Sequence, residues 1–545
     1  NHTYYYQVQA KNKGGVSEKS EILEIKPLEG SAIATPAETL TDRGLVAINL
    51  AGAKGGETVV SATDKNGKEI KKGIYLSWRS FAEDDQKTTY DVYRGKKKVA
   101  SKITDTNFID KTGKVGDVYK VVGSTDKALG LNVIETTPWN DHYLELQLFK
   151  PEDQTMPDGN VVSYKSNDIS VGDLDGDGQL DLIVKWDAGG QDNSKGGYTG
   201  TTILDGYTVD FSTGKTNLLW RIDLGVNIRA GAHYTQFQVW DYDGDGKAEI
   251  AVKTADGSTT YKSTDGTDQT LEETGFVGAV NADSLPTDTI SKEHDYRNDS
   301  GYILSGPEYF SMFNGDDGTL IGTTDYVPAR GNVNNWGDGY GNRVDRFLAG
   351  TAYLDGQAPY AVMGRGYYTR TALTAYYLAD TDGDGIGDSI RVKATFDSDE
   401  AGKEYESQGN HNLSIADVDG DGKDEVIYGS IAFDDDLSVL YNTGLGHGDA
   451  MHLGDLIPER PGLEMMAVKE ETGAKYHATV QDAATGEILM GYQTGSDTGR
   501  GAASDIDPTS PGAEFWAIAD ADYDAENGSP AWDSTDGAVY ASTST

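Results

Sequence analysis

Asp173-Leu-Asp175-Gly-Asp177-Gly-Gln179-Leu-Asp181 is a nine-residue loop with the donor pattern of a hard-cation site. Carboxylates stand at positions 1, 3, 5 and 9, and the backbone carbonyl of Gln179 at position 7 adds a further oxygen, the donor set that Ca²⁺ takes. Glycines at positions 4 and 6 let the backbone close round an ion without a Cβ penalty. The spelling returns three times: Asp241-Tyr-Asp243-Gly-Asp245-Gly-Lys247-Ala-Glu249, Asp380-Thr-Asp382-Gly-Asp384-Gly-Ile-Gly-Asp388 and Asp417-Val-Asp419-Gly-Asp421-Gly-Lys423-Asp-Glu425. Lys247 and Lys423 enter as carbonyls, not as ammonium groups. Four copies at one spacing favour several bound Ca²⁺ over a set of ion-free acidic turns.

An EF-hand would carry a bidentate Glu at position 12 between two helices. Here the loops run straight into apolar segments, Asp181-Leu-Ile-Val-Lys-Trp186, Glu249-Ile-Ala-Val-Lys-Thr254 and Glu425-Val-Ile-Tyr-Gly-Ser430, which read as strands. Long amphipathic helical patterns are few, whereas Tyr (32) and Gly (68) abound, so the 545-residue chain is expected to be all-β. A formal charge of −43 argues against nucleic acid or an anionic membrane as partner. With no cysteine there are no disulfides or thiolate metal sites, a usage compatible with a secreted protein that calcium loops staple. No apolar run approaches a membrane span, so no membrane insertion is expected.

Three regions are expected. Residues 1–28 resemble the last strands of a fibronectin type III domain, a remnant unable to fold alone. After a linker near 28–37, residues 38–134 hold short alternating segments such as Gly73-Ile-Tyr-Leu-Ser-Trp78 and Tyr90-Asp-Val-Tyr-Arg94, the pattern of a small β-sandwich. From 135 to 545 the loops recur with degenerate copies at Asp455–Glu464, Asp505–Glu514 and Tyr353–Met363. They alternate with the hairpin turns Asn314–Leu320 and Asp482–Leu489. Repeated loop–strand–hairpin units are the signature of a calcium-rich β-propeller with uneven blades. The chain is read as a monomeric piece of a longer modular protein, C-terminally incomplete.

Four further segments carry a resemblance: Asn227-Ile-Arg-Ala-Gly-Ala-His-Tyr-Thr-Gln236, Lys253-Thr-Ala-Asp-Gly257, Gly409-Asn-His-Asn-Leu413 and Gly444-Leu-Gly-His-Gly-Asp-Ala-Met-His452. With the acidic loops they resemble the family-11 polysaccharide lyases, the rhamnogalacturonan lyases, over roughly residues 38–520. The resemblance implies an eight-bladed propeller, its last blade missing here, with an accessory β-domain. It implies a secreted, Ca²⁺-dependent enzyme whose partner is the pectic polysaccharide rhamnogalacturonan I. Carried over by motif, Asn167 and Asp187 contact substrate, and Arg500 meets the galacturonate carboxylate. His411, His447, Asp449 and Glu470 surround further ions in the cleft, and Asp168 is counted with the metal ligands. An Asn-Gly-Thr-Lys segment that the family brings to its substrate has no equivalent in this sequence.

A uronate lyase removes the weakly acidic C5 proton beside a charged carboxylate, so a cation must neutralise that carboxylate and a base must reach C5–H. Arg500 and a cleft Ca²⁺ are the electrophilic candidates, and His411 and His447 the catalytic histidines. His233, His452 and Lys475 remain open as bases. His2, His142 and His294 are read as bystanders, and Trp186, Tyr234, Trp240, Tyr367 and Tyr368 as core aromatics. Endo action is favoured. A hydrolase ranks lower, because carboxylates fixed on calcium cannot act as free acid and nucleophile. The alternative from another class is a non-catalytic calcium propeller for adhesion or glycan binding.

Overall fold

A computed structural model describes residues 30–35, 42–52, 67–81, 84, 87–278, 294–494, 497–506 and 512–518, with isolated residues and short strand pieces elsewhere. The fold is all-β; among the described residues the only α-helices are the single turns Asp126–Leu129 and Ser398–Ala401. Of the expected N-terminal remnant, two short antiparallel pairs are described, Tyr4–Tyr6 with Leu23–Ile25 and Lys11–Asn12 with Gly15–Val16. The linker reading and His2 fall largely outside the described residues.

The chain divides into two compact units. The smaller comprises residues 36–149 and 208–217. It holds two three-stranded antiparallel sheets, Lys97–Ile103 with Tyr90–Arg94 and Tyr119–Gly123, and Asn107–Asp110 with Ile74–Ser77 and Val46–Asn49. Alternate residues of Ile74–Ser77, Tyr90–Arg94 and Tyr119–Gly123 point inward, as the period of two requires. Leu45, Ile74, Leu76, Trp78, Tyr90, Val92 and Tyr119 form one core. Buried Arg43 is held by Asp84 at 2.8 Å and Asp126 at 2.6 Å.

The larger unit is a series of antiparallel sheets, the first two of which exchange strands along the chain. The first is a six-stranded sheet beginning with Lys165–Gly172 and Asp181–Asp187. Four-stranded sheets follow, opening on Phe237–Trp240, Phe347–Ala352, Gly409–Ala416 and Met451–Gly454, and then a sheet opening on Arg500–Ser504. The first strand of each sheet packs against the first strand of the next. Second strands such as Glu249–Thr254, Tyr360–Arg365 and Glu425–Gly429 are buried along their whole length. They carry continuous apolar runs because both faces meet neighbouring sheets.

The acidic loops have two addresses. Those at 173–181, 241–249 and 417–425, and the degenerate one at 455–464, join the first strand of a sheet to the second. The loop at 380–388 instead joins the third strand, Ala372–Ala379, to the fourth, Ser389–Asp397. The hairpin turns at 314–320 and 482–489 also join third to fourth strands.

In the first-to-second loops the position-9 carboxylate opens the second strand, is buried, and accepts backbone N–H groups from the loop. Asp181 accepts from Leu174 at 3.1 Å, Glu249 from Tyr242 at 2.7 Å, and Glu425 from Val418 at 2.8 Å. At the exposed third-to-fourth address, Asp388 accepts from the Thr381 hydroxyl instead.

Candidate active site and cation loops

In the three first-to-second loops, one oxygen from each of positions 1, 3 and 9 lies within 4.8 Å of the others: Asp173, Asp175 and Asp181; Asp241, Asp243 and Glu249; Asp417, Asp419 and Glu425. At 380–388 the group is Asp380, Asp382 and Asp384. The position-5 carboxylates Asp177, Asp245 and Asp421 also close the turn, accepting from the backbone N–H of Gln179, Lys247 and Lys423. Burial and mutual repulsion push Asp181, Asp243 and Glu425 up to about 7. Oε1 of Glu425 is buried with no partner. All-oxygen, electron-rich and under-neutralised, these groups fit Ca²⁺. The Lys247 ammonium pairs with Asp316, and that of Lys423 pairs with Asp435 and, at 3.3 Å, with the loop's own Asp421, so these lysines offer an ion only their carbonyls. Asp168, expected among the metal ligands, pairs with the buried ammonium of Lys185.

A cavity of about 370 Å³ is lined by His233, Tyr368, His411, Asp449, Glu470 and Arg500. A register shift between Gly409 and Ser414 lifts residues 410–413 off the ladder, the usual way a bulge re-aims a side chain. The loop carrying His447 and Asp449 runs beside that bulge, where His411 N–H donates to the Gly448 carbonyl at 3.2 Å. Gly448 is required there, since a Cβ would lie 2.0 Å from the Val468 carbonyl oxygen.

His411, His447, Asp449 and Glu470 each bring one donor atom within 4.8 Å of the rest. His447 Nδ1 faces the Gly409 carbonyl at 2.5 Å and must therefore be its N–H donor. The Nε2 lone pair is then left buried, without a partner, 3.9 Å from a Glu470 oxygen. Burial pushes His447 down to about 3, so the ring is neutral. Burial, reinforced by Asp449, pushes Glu470 up to about 8. Lone pairs converging in this way fit a divalent cation between them. The two imidazoles make the set softer than the all-oxygen loops.

Arg500 projects from the start of its strand with its side chain 77% exposed, held by Asp449 at 2.7 Å. His411 Nε2 lies 2.9 Å from the Tyr368 hydroxyl and 3.2 Å from Asp449. Tyr368, read from sequence as core, faces the cavity, whereas Tyr367, Trp186 and Tyr234 are buried. Arg343 lies over the Tyr368 ring, 4.3 Å from its centroid. Lys469, not singled out from sequence, is fully buried beside this cluster, its ammonium unpartnered and lowered to about 7 by burial.

Asn167 and Asp187 stand apart from this lining. Asn167 is exposed on the bulge of Lys165–Gly172, and Asp187 ends the next strand, accepting from Gly190 N–H at 2.8 Å. His452 bonds the Gly501 carbonyl at 3.3 Å, and the Lys475 ammonium lies over Tyr476; neither lines the cavity. His294 is no isolated bystander: its Nδ1 is 2.9 Å from the Tyr296 hydroxyl, which bonds Asp256.

A family model described as "Rhamnogalacturonan lyase family 11, C-terminal domain" matches residues 143–539. This chain belongs to rhamnogalacturonan lyase family 11. A second model, "Rhamnogalacturonan I lyases beta-sheet domain", matches residues 67–139. The chain is 47% identical to rhamnogalacturonan endolyase YesW of Bacillus subtilis over 497 residues, which are 90% of this chain and 71% of that protein. It is also 47% identical to rhamnogalacturonan exolyase YesX of the same organism over 454 residues, 83% of this chain and 68% of that one. Among solved structures, that of YesX aligns with a TM-score of 0.72 at 45% identity, covering 89% of this chain and 72% of the other. The Bacillus licheniformis rhamnogalacturonan lyase aligns with the same TM-score and identity, covering 89% and 74%. The members of this family are polysaccharide lyases, and this chain is one of them.

Proposed function

We propose that this chain is an extracellular, Ca²⁺-dependent lyase that cleaves within the rhamnogalacturonan I backbone of pectin by β-elimination at galacturonate. One observation carries the reading: an exposed guanidinium, Arg500, stands at a cavity whose other walls present neutral imidazole and carboxylate lone pairs. We take the successive sheets as blades of a β-propeller, eight-bladed as in the family, with residues 38–134 as an accessory sandwich. The −43 charge argues against nucleic acid as partner, and the chain is taken to act as a monomer within a longer modular protein.

The reaction breaks C5–H and C4–O4, carries the C5–H electron pair into a C4–C5 double bond, and releases the O4-linked sugar, whose oxygen takes up a proton from water, leaving an unsaturated uronide. Arg500 binds the galacturonate carboxylate, and Asp449 fixes its guanidinium. His411, held neutral by burial, accepts the C5 proton, and Tyr368 keeps its ring in place. Asp449, Glu470 and His447 would hold the cleft Ca²⁺. When bound, that ion supplies positive charge against the uronate carboxylate as negative charge develops there. Asn167 and Asp187 contact the sugar chain on its flank. The relatives are equally similar in their endo and exo forms; the exposure of Arg500 supports attack in mid-chain.

The test is ultraviolet absorbance of the unsaturated uronide on rhamnogalacturonan I, with and without EDTA. A cation-dependent rise is expected. A rise untouched by EDTA would remove the ion from the chemistry, and no rise would overturn the lyase reading in favour of a binding propeller.

A further inference from the structure

The smaller unit carries a second groove, about 530 Å³, between the extended segment 138–147 and the hairpin turn 212–215. Gly214 makes it possible. Its φ is +75°, and a Cβ there would meet the Glu145 carbonyl oxygen at 2.1 Å. The segment lies flat on the turn because that side chain is missing, with Gln147 N–H donating to the Gly214 carbonyl and the Thr216 hydroxyl to Gln147.

Two aromatic rings mark the groove. The Trp139 indole is pinned by its N–H to the Phe211 carbonyl at 3.1 Å, while Tyr143 is 60% exposed. Hydroxyls stand opposite. Ser212 and Thr213 each donate to Asp210 at 2.6 Å, and although Thr213 also accepts from the Lys215 N–H at 3.4 Å, each hydroxyl keeps a lone pair to accept from a ligand. The side-chain amides of Asn140 and Gln147 add donors and acceptors along the rim. An exposed ring that can lie on a C–H face, bordered by hydroxyl and amide groups, is the chemistry that recognises a sugar.

Charge selects among sugars. Asp141 and Glu145 line the groove against the single cation Lys215, within a chain of net charge −43. A uronate would meet like charge, whereas a neutral hexose would not.

We propose that this groove is a binding site for neutral oligosaccharide, distinct from the cavity at Arg500 and suited to uncharged branches on the polysaccharide rather than to its galacturonate backbone. The test is calorimetric titration of the full chain with linear galactotetraose and, separately, with tetragalacturonate. It needs no turnover, so it stands apart from the lyase reading. Galactotetraose should bind the parent, and about tenfold more weakly the Tyr143→Ala variant. The same variant should cleave unbranched substrate within about twofold of the parent, since Tyr143 is not among the residues lining the Arg500 cavity. Arg500→Ala should leave galactotetraose affinity unchanged. Absence of galactotetraose binding, equal affinity in Tyr143→Ala, or loss of affinity in Arg500→Ala would each overturn the proposal. Tighter binding of tetragalacturonate that depends on Tyr143 would overturn its neutral selectivity.

Discussion

The loop at 241–249 and the loop at 455–464 occupy the same place in two sheets of the larger unit, yet they solve one electrostatic problem in opposite ways. Both open the second strand with a fully buried glutamate that accepts two backbone N–H groups from the turn. Glu249 takes those of Tyr242 and Asp243, and Glu464 those of Leu456 and Ile457. At 241–249 three buried carboxylates then face one another with no side-chain cation among them. At 455–464 Asp455 is exposed, Ile457 stands at position 3 where the other loop has Asp243, and Arg460 enters, its guanidinium bridging Glu464 at 2.9 Å and Asp482 at 2.9 Å. The stripped copy near 355 goes further, with Asp355 satisfied by backbone N–H groups and the Tyr360 hydroxyl. The buried glutamate at this address thus sits where positive charge is favourable: the chain itself supplies it at 455–464, and at 241–249 we propose that a bound cation does.

The broadest test removes the outside ions. EDTA should lower the melting temperature by on the order of 10 °C, since each intact loop is left with clustered buried carboxylates. Re-addition of Ca²⁺ should restore it. A melt unmoved by EDTA would erase the distinction between the two kinds of loop.

A cation that serves chemistry should behave differently from one that serves the frame. Arg500 is exposed, so Arg500→Ala should leave the melt within about 1 °C of the parent. The variant should lower kcat by roughly a hundred- to a thousandfold, the usual loss when a charge-stabilising donor is removed. Steady-state kinetics beside a melting curve decides this; full activity would take Arg500 out of the site.

What the sequence discloses follows from how local each feature is. The cation loops are written in nine consecutive residues, and the strands after them begin at the position-9 acid, as read for Asp181–Asp187 and Glu249–Thr254. The different address of 380–388 was not legible, because its spelling matches the others while its strand neighbours do not. Tyr367 and Tyr368 read alike from sequence as core aromatics, yet only Tyr368 lines the cavity, where its hydroxyl meets His411 from a separate segment. Glu308 gave no signal at all. Its three cations, Lys253, Arg330 and Arg365, come from separate segments and converge only in three dimensions.

Arg460 sharpens the loop comparison. Arg460→Met keeps the length of the side chain and strands the buried Glu464 carboxylate, which should cost about 2 kcal/mol. Added Ca²⁺ should not recover that loss, because Ile457 stands where 241–249 supplies Asp243 and Asp455 is exposed. Chemical denaturation with and without Ca²⁺ measures it; rescue by the ion would show that the degenerate loop still binds.

The smallest effect extends the same logic to a carboxylate neutralised wholly by the chain. Glu308 is buried and lies within 2.9 Å of Lys253, Arg330 and Arg365. Burial alone would raise it, but those three charges hold it well below its ordinary value of 4.5. The folded state therefore binds fewer protons than the unfolded state between the folded value and 4.5. Glu308 contributes its full stability above that window and loses it as pH falls through the window. The gap in unfolding free energy between the parent and Glu308→Gln should be constant at neutral pH. Below pH 4.5 it should narrow by up to about 1.4 kcal/mol per pH unit, the value for one proton. Measured with Ca²⁺ present throughout, so that the loops contribute equally to both chains, a gap independent of acid would mean that the three cations do not hold Glu308 ionised.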